Sequence, residues 1–347
     1  SDDGLGSEYR ISLKSDSLKD TIPEAVADKI KNMPETENVY ATKYTMGELQ
    51  ISKNEFLSEE EWSDYFKYQN QEPYYIQRYD GICKQQEDGN YRIKYNVYGY
   101  DEAMIEQLRD FILEGEIQPE TIKNNNQVIV TANMDGQGNY FFYGKKPGDT
   151  ITLRVPKTEN YTDELLKFQS GEENYIEKEF EIAAIVNRPL AQEKDFLNTE
   201  VWKNAQSVIM TGEQMEENFG ITDYSFINAS PADSADAKIV SNQLLQVIRD
   251  VPKAVLQDYT TAIATQKGYL GQQQIFFSSI AVILLIISLF HIVNSMSHTI
   301  LTRRREYGII RAIGITDGGF YKMILQTGIL YGLLADVFIY LIYNRVL

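Results

Sequence analysis

The feature that most constrains this chain is a long uncharged run near its C-terminal end. Residues 271–297 hold no Asp, Glu, Lys or Arg, and from Ile275 to Val293 only Ser278, Ser279, Ser288 and His291 interrupt the apolar side chains. As an α-helix the stretch would rise about 28 Å, close to the roughly 30 Å hydrocarbon core of a bilayer. A second run, Met323 to Tyr343, would rise about 31 Å. The competing reading is a pair of buried helices in a soluble protein, but such helices seldom stay apolar on every face for this length. Two membrane helices are expected.

Charge separates the chain into parts suited to different solvents. The 347 residues carry a net charge of -17, yet residues 298–347 are net positive. Arg303, Arg304, Arg305, Arg311, Lys322 and Arg345 there face only Glu306, Asp317 and Asp336, so the first 270 residues hold a net -20. An acidic body of this kind argues against nucleic-acid binding, which needs clustered cations. Five of the six tail cations lie between the two apolar runs, and cytoplasmic loops collect Lys and Arg. The loop is therefore expected inside and residues 1–270 outside, with the chain multi-pass in the cell membrane. Because the acidic body must cross the bilayer and no signal-like segment precedes it, a further upstream membrane helix is expected.

The body reads as mixed α and β. Glu8–Lys14 suits a strand, and Pro23 suits a first helical turn before Val26, Ile30 and Met33 recur at helical spacing up to Pro34. Asn38–Ile51 and Asn96–Tyr100 read as strands. Asp101–Glu114 reads as a helix with Ile105, Leu108, Phe111 and Ile112 on one side and Gly115 at its end. Val128–Ala132, the alternation Ile151, Leu153, Val155 after a Lys146–Asp149 turn, Phe180–Val186 and Ser207–Met210 read as further strands. Ser234 is placed to cap a helix striped with Val240, Leu244, Val247 and Ile248. Residues 156–178 are polar and turn-rich, which suggests an insertion or a boundary between two lobes. From about Val255 to Ile275 only Gly268 and Gly271 oppose a helix, so a stalk is expected to join body and membrane.

The segment from Thr302 through Arg303, Arg304, Arg305, Glu306, Tyr307, Gly308, Ile309, Ile310, Arg311, Ala312 and Ile313 to Gly314 resembles the signature of FtsX-like ABC transporter permeases. In that family a basic-acidic segment of this pattern links two membrane helices. The body resembles the MacB-like periplasmic core, with Val97–Asp101, Leu113–Gly115 and Pro147–Ile151 in the expected order. The resemblance covers about residues 8–345 and implies a permease subunit of the type VII, mechanotransmission class. Such subunits have four spans around one large external domain and work as a pair with cytoplasmic ATPases. This sequence shows two of the four spans.

The resulting expectation is an α+β extracytoplasmic domain of two lobes over residues 1–254, a helical stalk over 255–274 and a membrane helix over 275–298. A cytoplasmic coupling loop over 299–321 and a second membrane helix over 322–345 complete it. The resemblance implies that Arg303, Arg304, Arg305, Glu306, Gly308, Ile309, Arg311 and Gly314 dock on the ATPase. Charge alone fits an ordinary cytoplasmic anchor equally well. Gly328, Gly332 and Asp336 recur every four residues, a spacing that lets another helix approach closely and turns the carboxylate away from lipid.

No catalytic residue and no metal site is expected. The chain has no phosphate-binding Gly-x-x-x-x-Gly-Lys-Ser/Thr loop, and Gly144-Lys145-Lys146-Pro147 does not complete one. Its two histidines, His291 and His298, flank the end of the first span, and Cys83 is its one cysteine. ATP and magnesium would belong to the partner ATPase. Expected partners are that ATPase, a second permease copy or paralogue, and membrane lipid. The function implied is coupling of ATP hydrolysis to movement of the outer domain, for export or extraction of a peptide, antibiotic or lipoprotein. The alternative is a membrane-anchored sensor or binding module, or a regulator of a cell-wall hydrolase, without transport.

Overall fold

Strand β1 (Tyr9–Leu13) turns Tyr9, Ile11 and Leu13 inward and leaves Arg10 and Ser12 half-buried, the period-2 pattern of a strand with one covered face. The computed structural model describes residues 7–15, 17–55, 67, 71, 73–134, 139–159, 161–169, 171–190, 206–323, 325, 326, 328, 329 and 332. The chain divides into two units, one ending at Ile263 and the other starting at Ala264. After β1 the first unit runs through α1 (Glu24–Lys31), β2 (Thr36–Ile51), α2 (Pro73–Tyr79), β3 (Cys83–Gln85), β4 (Tyr91–Tyr100) and α3 (Glu102–Gln107). It continues with β5 (Ile112–Gly115), α4 (Pro119–Asn124), β6 (Gln127–Thr131), β7 (Asn133–Met134), β8 (Tyr140–Phe141), β9 (Thr150–Pro156) and β10 (Tyr175–Val186). It closes with β11 (Ser207–Thr211), α5 (Gly212–Phe219), β12 (Phe226–Pro231), α6 (Ala237–Ile248) and β13 (Ala254–Asp258).

Six strands pair in a closed circuit, β2–β9–β10–β6–β11–β4 and back to β2. Two of these pairings, β6 with β10 and β4 with β11, are parallel; the other four are antiparallel. Closure gives each of the six a strand on both sides, save that β10 runs past the end of β9 and leaves an edge at Ala184–Val186. It also explains why β2 is buried without alternation from Ala41 to Leu49: both of its faces are covered. Gly47 is needed there, because a Cβ would lie 3.0 Å from Leu153 and 3.2 Å from Val97.

The interior splits into two hydrophobic cores. The larger one surrounds the circuit and includes Leu49, Val97, Val130, Leu153, Ile182 and Ile209. The smaller one joins both ends of the unit: Tyr9 and Ile11 of β1, Ala27 and Ile30 of α1, Ile227 of β12, and Val240, Leu244 and Ile248 of α6. Strand β2 serves both, since Thr36–Thr42 lie against β12 and Lys43–Ile51 against β4. The divide between cores thus falls near Ala41–Thr42 and Phe226–Ile227, not at residues 156–178. Those residues instead fold back on the larger core, burying Tyr161, Leu165 and Leu166.

Three other local expectations are corrected. The helix expected over Asp101–Glu114 ends at Gln107, passes through a 3-10 turn at Leu108–Phe111, and gives way to β5, which pairs with β10. Ile112 and Leu113 fit helix and strand alike, and the unpaired edge of β10 favours the strand. Ser234 does not cap α6; the Asp236 carboxylate accepts from the backbone N–H of Lys238 and Ile239 at 2.8 and 3.3 Å. The stalk does not begin at 255, because Ala254–Asp258 form β13 and pair along their whole length with β1.

From Thr260 the chain is helical to Thr302, forming α7, a 43-residue helix of about 64 Å. It is the one helix, among the described residues, long and apolar enough to cross a membrane. Its apolar side chains are exposed all round; Ile275 and Phe290 are 69% and 71% exposed. Its hydroxyls bond back onto the helix, Ser279 to the Ile275 carbonyl at 2.7 Å and Ser288 to that of Leu284 at 2.8 Å. That satisfies them without water, as a bilayer requires. Helix α8 (Arg304–Ala312) follows, and residues 317–323 are helical again. Most of the second apolar run, including Asp336, lies outside the described residues, as does Arg345.

Candidate functional site

The arginine-bearing segment is set off by breaks at both ends. Thr302 hydroxyl closes the last turn of α7 on the His298 carbonyl at 2.8 Å. Arg303 then leaves helical geometry (φ -97°, ψ 18°), and α8 starts afresh. At the far end Gly314 adopts φ +100°, which residues with a side chain rarely take, and its N–H donates to the Arg311 carbonyl at 3.1 Å. Thr316 hydroxyl then accepts the Gly319 N–H at 3.3 Å and starts the next helix.

The two sides of α8 differ. Tyr307 and Ile310 are half-buried, and the Tyr307 ring meets Phe320 edge-on at 5.3 Å. Arg311 pairs with Asp317, and its guanidinium lies 5.3 Å from the Phe320 ring. The opposite side carries Arg305, Gly308, Ile309 and Ala312, all exposed, with Arg305 and Ile309 four residues apart as are Gly308 and Ala312. A Cβ on Gly308 would meet nothing within 4 Å. Ile309 is 60% and Ile313 81% exposed. Arg304 is exposed too, and Glu306, in the first turn, lies 4.0 Å from Arg303 and opposes the positive end of the helix dipole.

Of the residues singled out in the sequence, Arg305, Gly308 and Ile309 share one exposed face. Arg311 does not join them; it braces α8 against the following helix. Of its partners, Asp317 entered the sequence reading only as a charge and Phe320 not at all, although an acid six residues after an arginine is a readable signal. Gly328 sits where a Cβ would lie 3.4 Å from Met296 of α7, and Gly332 has nothing within 4 Å. Asp336 lies outside the described residues.

Residues 278–342 match the family model described as FtsX-like permease C-terminal. That stretch of the chain is similar to the C-terminal part of FtsX-like permeases. FtsX-like permeases are membrane subunits of ABC transporters, generally non-catalytic, and the family implies an ATPase partner. The match contains all of α8 and its brace. No curated protein matches the chain. Among solved structures, the periplasmic region of MacB from Actinobacillus actinomycetemcomitans aligns with a TM-score of 0.42 at 9% identity, over 76% of this chain and 94% of that one. The extracellular domain of the noncanonic ABC-type transporter YknZ from Gram-positive bacteria aligns with a TM-score of 0.38 at 8% identity, over 73% of this chain and all of that one.

The first unit holds a buried charge cluster that the sequence did not reveal. Glu48 of β2 stands directly opposite Lys94 of β4 on one side and Arg154 of β9 on the other. Its carboxylate accepts from Lys94 Nζ at 2.6 Å and Arg154 Nη1 at 3.1 Å. Lys94 Nζ lies 4.1 Å from the Phe168 ring, and the Arg154 guanidinium 3.6 Å from that of Tyr175. Arg154 also donates to the carbonyls of Gln169 and Gly171, at 3.2 and 3.0 Å, which holds both residues over the cluster. Burial lowers the Lys94 pKa, opposed by the nearby Glu48 carboxylate. Every polar end found here serves another protein group.

Proposed function

We propose that this chain is the membrane subunit through which a cytoplasmic ABC ATPase drives an extracytoplasmic domain. The exposed face of α8 carries the reading. Arg305 and Ile309 form a ridge beside a flat row at Gly308 and Ala312, so a partner backbone can approach closely over the row while the cation and the apolar side chain engage along its edge. Full burial of Ile309 would contribute about 1.5–3 kcal/mol. The brace from Arg311 to Asp317 and from Tyr307 to Phe320 lets a push on α8 reach the next helix instead of bending the loop. ATP and magnesium act on the partner, and a second permease copy or paralogue completes the pair. The cation-rich loop supports a cytoplasmic position for α8 and an outer position for the acidic first unit. Export or extraction of a peptide, antibiotic or lipoprotein is the work such a lever would do.

The test is to ask whether an adjacent reading frame encodes an ABC ATPase and to co-purify the full chain with it. Arg305→Ala and Gly308→Leu are expected to weaken capture at least tenfold while the chain still accumulates in the membrane. Undiminished capture by both variants would refute the docking role of α8.

A further inference from the structure

Strand β5 is paired on one side only. β10 takes one of its edges, with Ile112 opposite Val186 and Gly115 opposite Ala184, and among the described residues no strand pairs with the other. An unpaired strand edge presents backbone N–H and C=O groups that another extended chain can complete. Ile112, Leu113 and Glu114 are half-buried and Gly115 is exposed, so this edge reaches the surface.

Beside it lies an open hollow of about 660 Å³, ringed by one continuous stretch of chain. Ile112 and Gly115 of β5 line it on one side, Glu106 and Arg109 on another, and residues 116–120 close the ring. No residue of β10 lines it, so the hollow lies away from the paired edge. Ile117, which is 1% exposed, and Pro119 give it an apolar base.

The rim is acidic. Glu106, Glu116 and Glu120 stand around it, all exposed, against Arg109 alone. Arg109 is already engaged by the wall: its Nε donates to the Ile117 carbonyl at 2.9 Å, and its Nη1 lies 3.8 Å from Glu106. Glu116 accepts from the Gln118 side-chain amide, and neither Glu116 nor Glu120 has a basic partner among the described residues.

We infer that the free edge of β5 and this hollow form a docking site for an extended basic segment of another protein. The segment adds as a strand beside β5. Its Lys or Arg stems lie on Ile112, Ile117 and Pro119, and their charged heads meet Glu106, Glu116 and Glu120. Charge selects this occupant: a second copy of the chain would bring the same carboxylates against themselves, and an acidic segment would be repelled. The site lies wholly within the first unit and needs nothing from the coupling role proposed above.

The experiment titrates a short, end-blocked, fluorescent peptide of alternating Lys and Val into the full chain in nanodiscs of zwitterionic lipid. Anisotropy reads the affinity, and amide hydrogen exchange locates the peptide. Binding with slowed exchange in residues 112–116 is expected. Glu116→Gln combined with Glu120→Gln should weaken binding about fivefold, as the loss of two exposed ion pairs would. Glu177→Gln combined with Glu179→Gln, an equal loss of charge on the exposed side of β10, should leave it unchanged. A peptide N-methylated at every second residue keeps its charge but cannot complete a strand, and should bind about tenfold more weakly. No binding to the wild type, equal affinity in the Glu116 and Glu120 variant, or protection that maps away from β5 would overturn the site. Undiminished binding of the N-methylated peptide would overturn strand addition. Protection of β5 that appears without peptide as the chain is concentrated would assign the edge to a second copy and overturn the proposal too.

Discussion

Lys94 Nζ donates to Glu48 Oε1 at 2.6 Å in a pair whose side chains are only 2% and 3% exposed. Two charges so placed gain little over a well-packed apolar pair, but removing one partner strands the other away from water. Glu48→Gln is therefore expected to destabilise the fold by about 3–5 kcal/mol, since both Lys94 and Arg154 lose their counter-charge. Chemical unfolding of the full chain in detergent, followed by circular dichroism, measures this. Lys94→Met combined with Glu48→Gln should cost less than the two single changes added together.

Alkaline pH should unfold the first unit through its tyrosines. Burial pushes Tyr9 up to about 12 from 10.0, helped by the carboxylates of Asp258, Glu8 and Asp236. Burial, then the Glu48 carboxylate, pushes Tyr175 up to about 12 as well, against Arg154. Both stay neutral in the fold while the unfolded chain ionises near 10, so the stability they lend is complete below that pH and is lost as pH rises towards 12. Lys94 acts in the opposite sense: its lowered pKa costs stability at neutral pH, and that cost fades as pH approaches 10.5, the ordinary lysine value. The expected net result is a fall in unfolding midpoint that begins near pH 10. Tyrosinate absorbance should rise together with loss of circular dichroism, and Tyr175→Phe should flatten the fall.

Two glycines with nearly the same φ make an internal control. Gly115 has φ +88° and Gly148 φ +93°. A Cβ on Gly115 would lie 2.3 Å from the Ala183 carbonyl oxygen and 2.8 Å from the Ala184 Cα, whereas on Gly148 it would meet nothing within 4 Å. Gly148→Ala should cost about 1–2 kcal/mol, the price of a left-handed backbone alone. Gly115→Ala should cost that plus separation of β5 from β10, seen as a larger drop in unfolding midpoint and faster amide exchange at Ala184.

The brace of α8 should matter to coupling far more than to stability. Arg311 and Asp317 are 55% and 77% exposed, and exposed pairs contribute about 0–1 kcal/mol. Arg311→Asp and Asp317→Arg, made singly, should each lower nucleotide turnover of the assembled complex without shifting the unfolding midpoint. The double exchange should recover turnover; failure to recover would assign Arg311 to direct docking.

Local strand and helix signals were legible where one face is covered and the other open. The alternation Ile151, Leu153, Val155 marked β9, and Val26 with Ile30 marked α1. Legibility failed where two solutions cost the chain nearly the same. Ile112 and Leu113 suit a helix as well as a strand, and only the vacant edge of β10, a partner distant in sequence, decides between them. The same holds for Ala254–Asp258, whose choice of strand depends on β1 more than 240 residues earlier. Asp236 displaced Ser234 as the cap because the helix starts at Ala237, a boundary that spacing alone does not define. In the candidate site, the pattern from Arg303 to Gly314 was readable as a whole. Which arginine faces outward was not, since that depends on where the next helix puts Asp317 and Phe320.

Strand β2 has a last consequence. Its first half shores up the smaller core and its second half the larger, with no break in its sixteen residues. Neither core can melt while the other keeps its register, so heating should dissolve the pair in one step. That shared spine makes the first unit behave as one casting rather than two pieces on a pin.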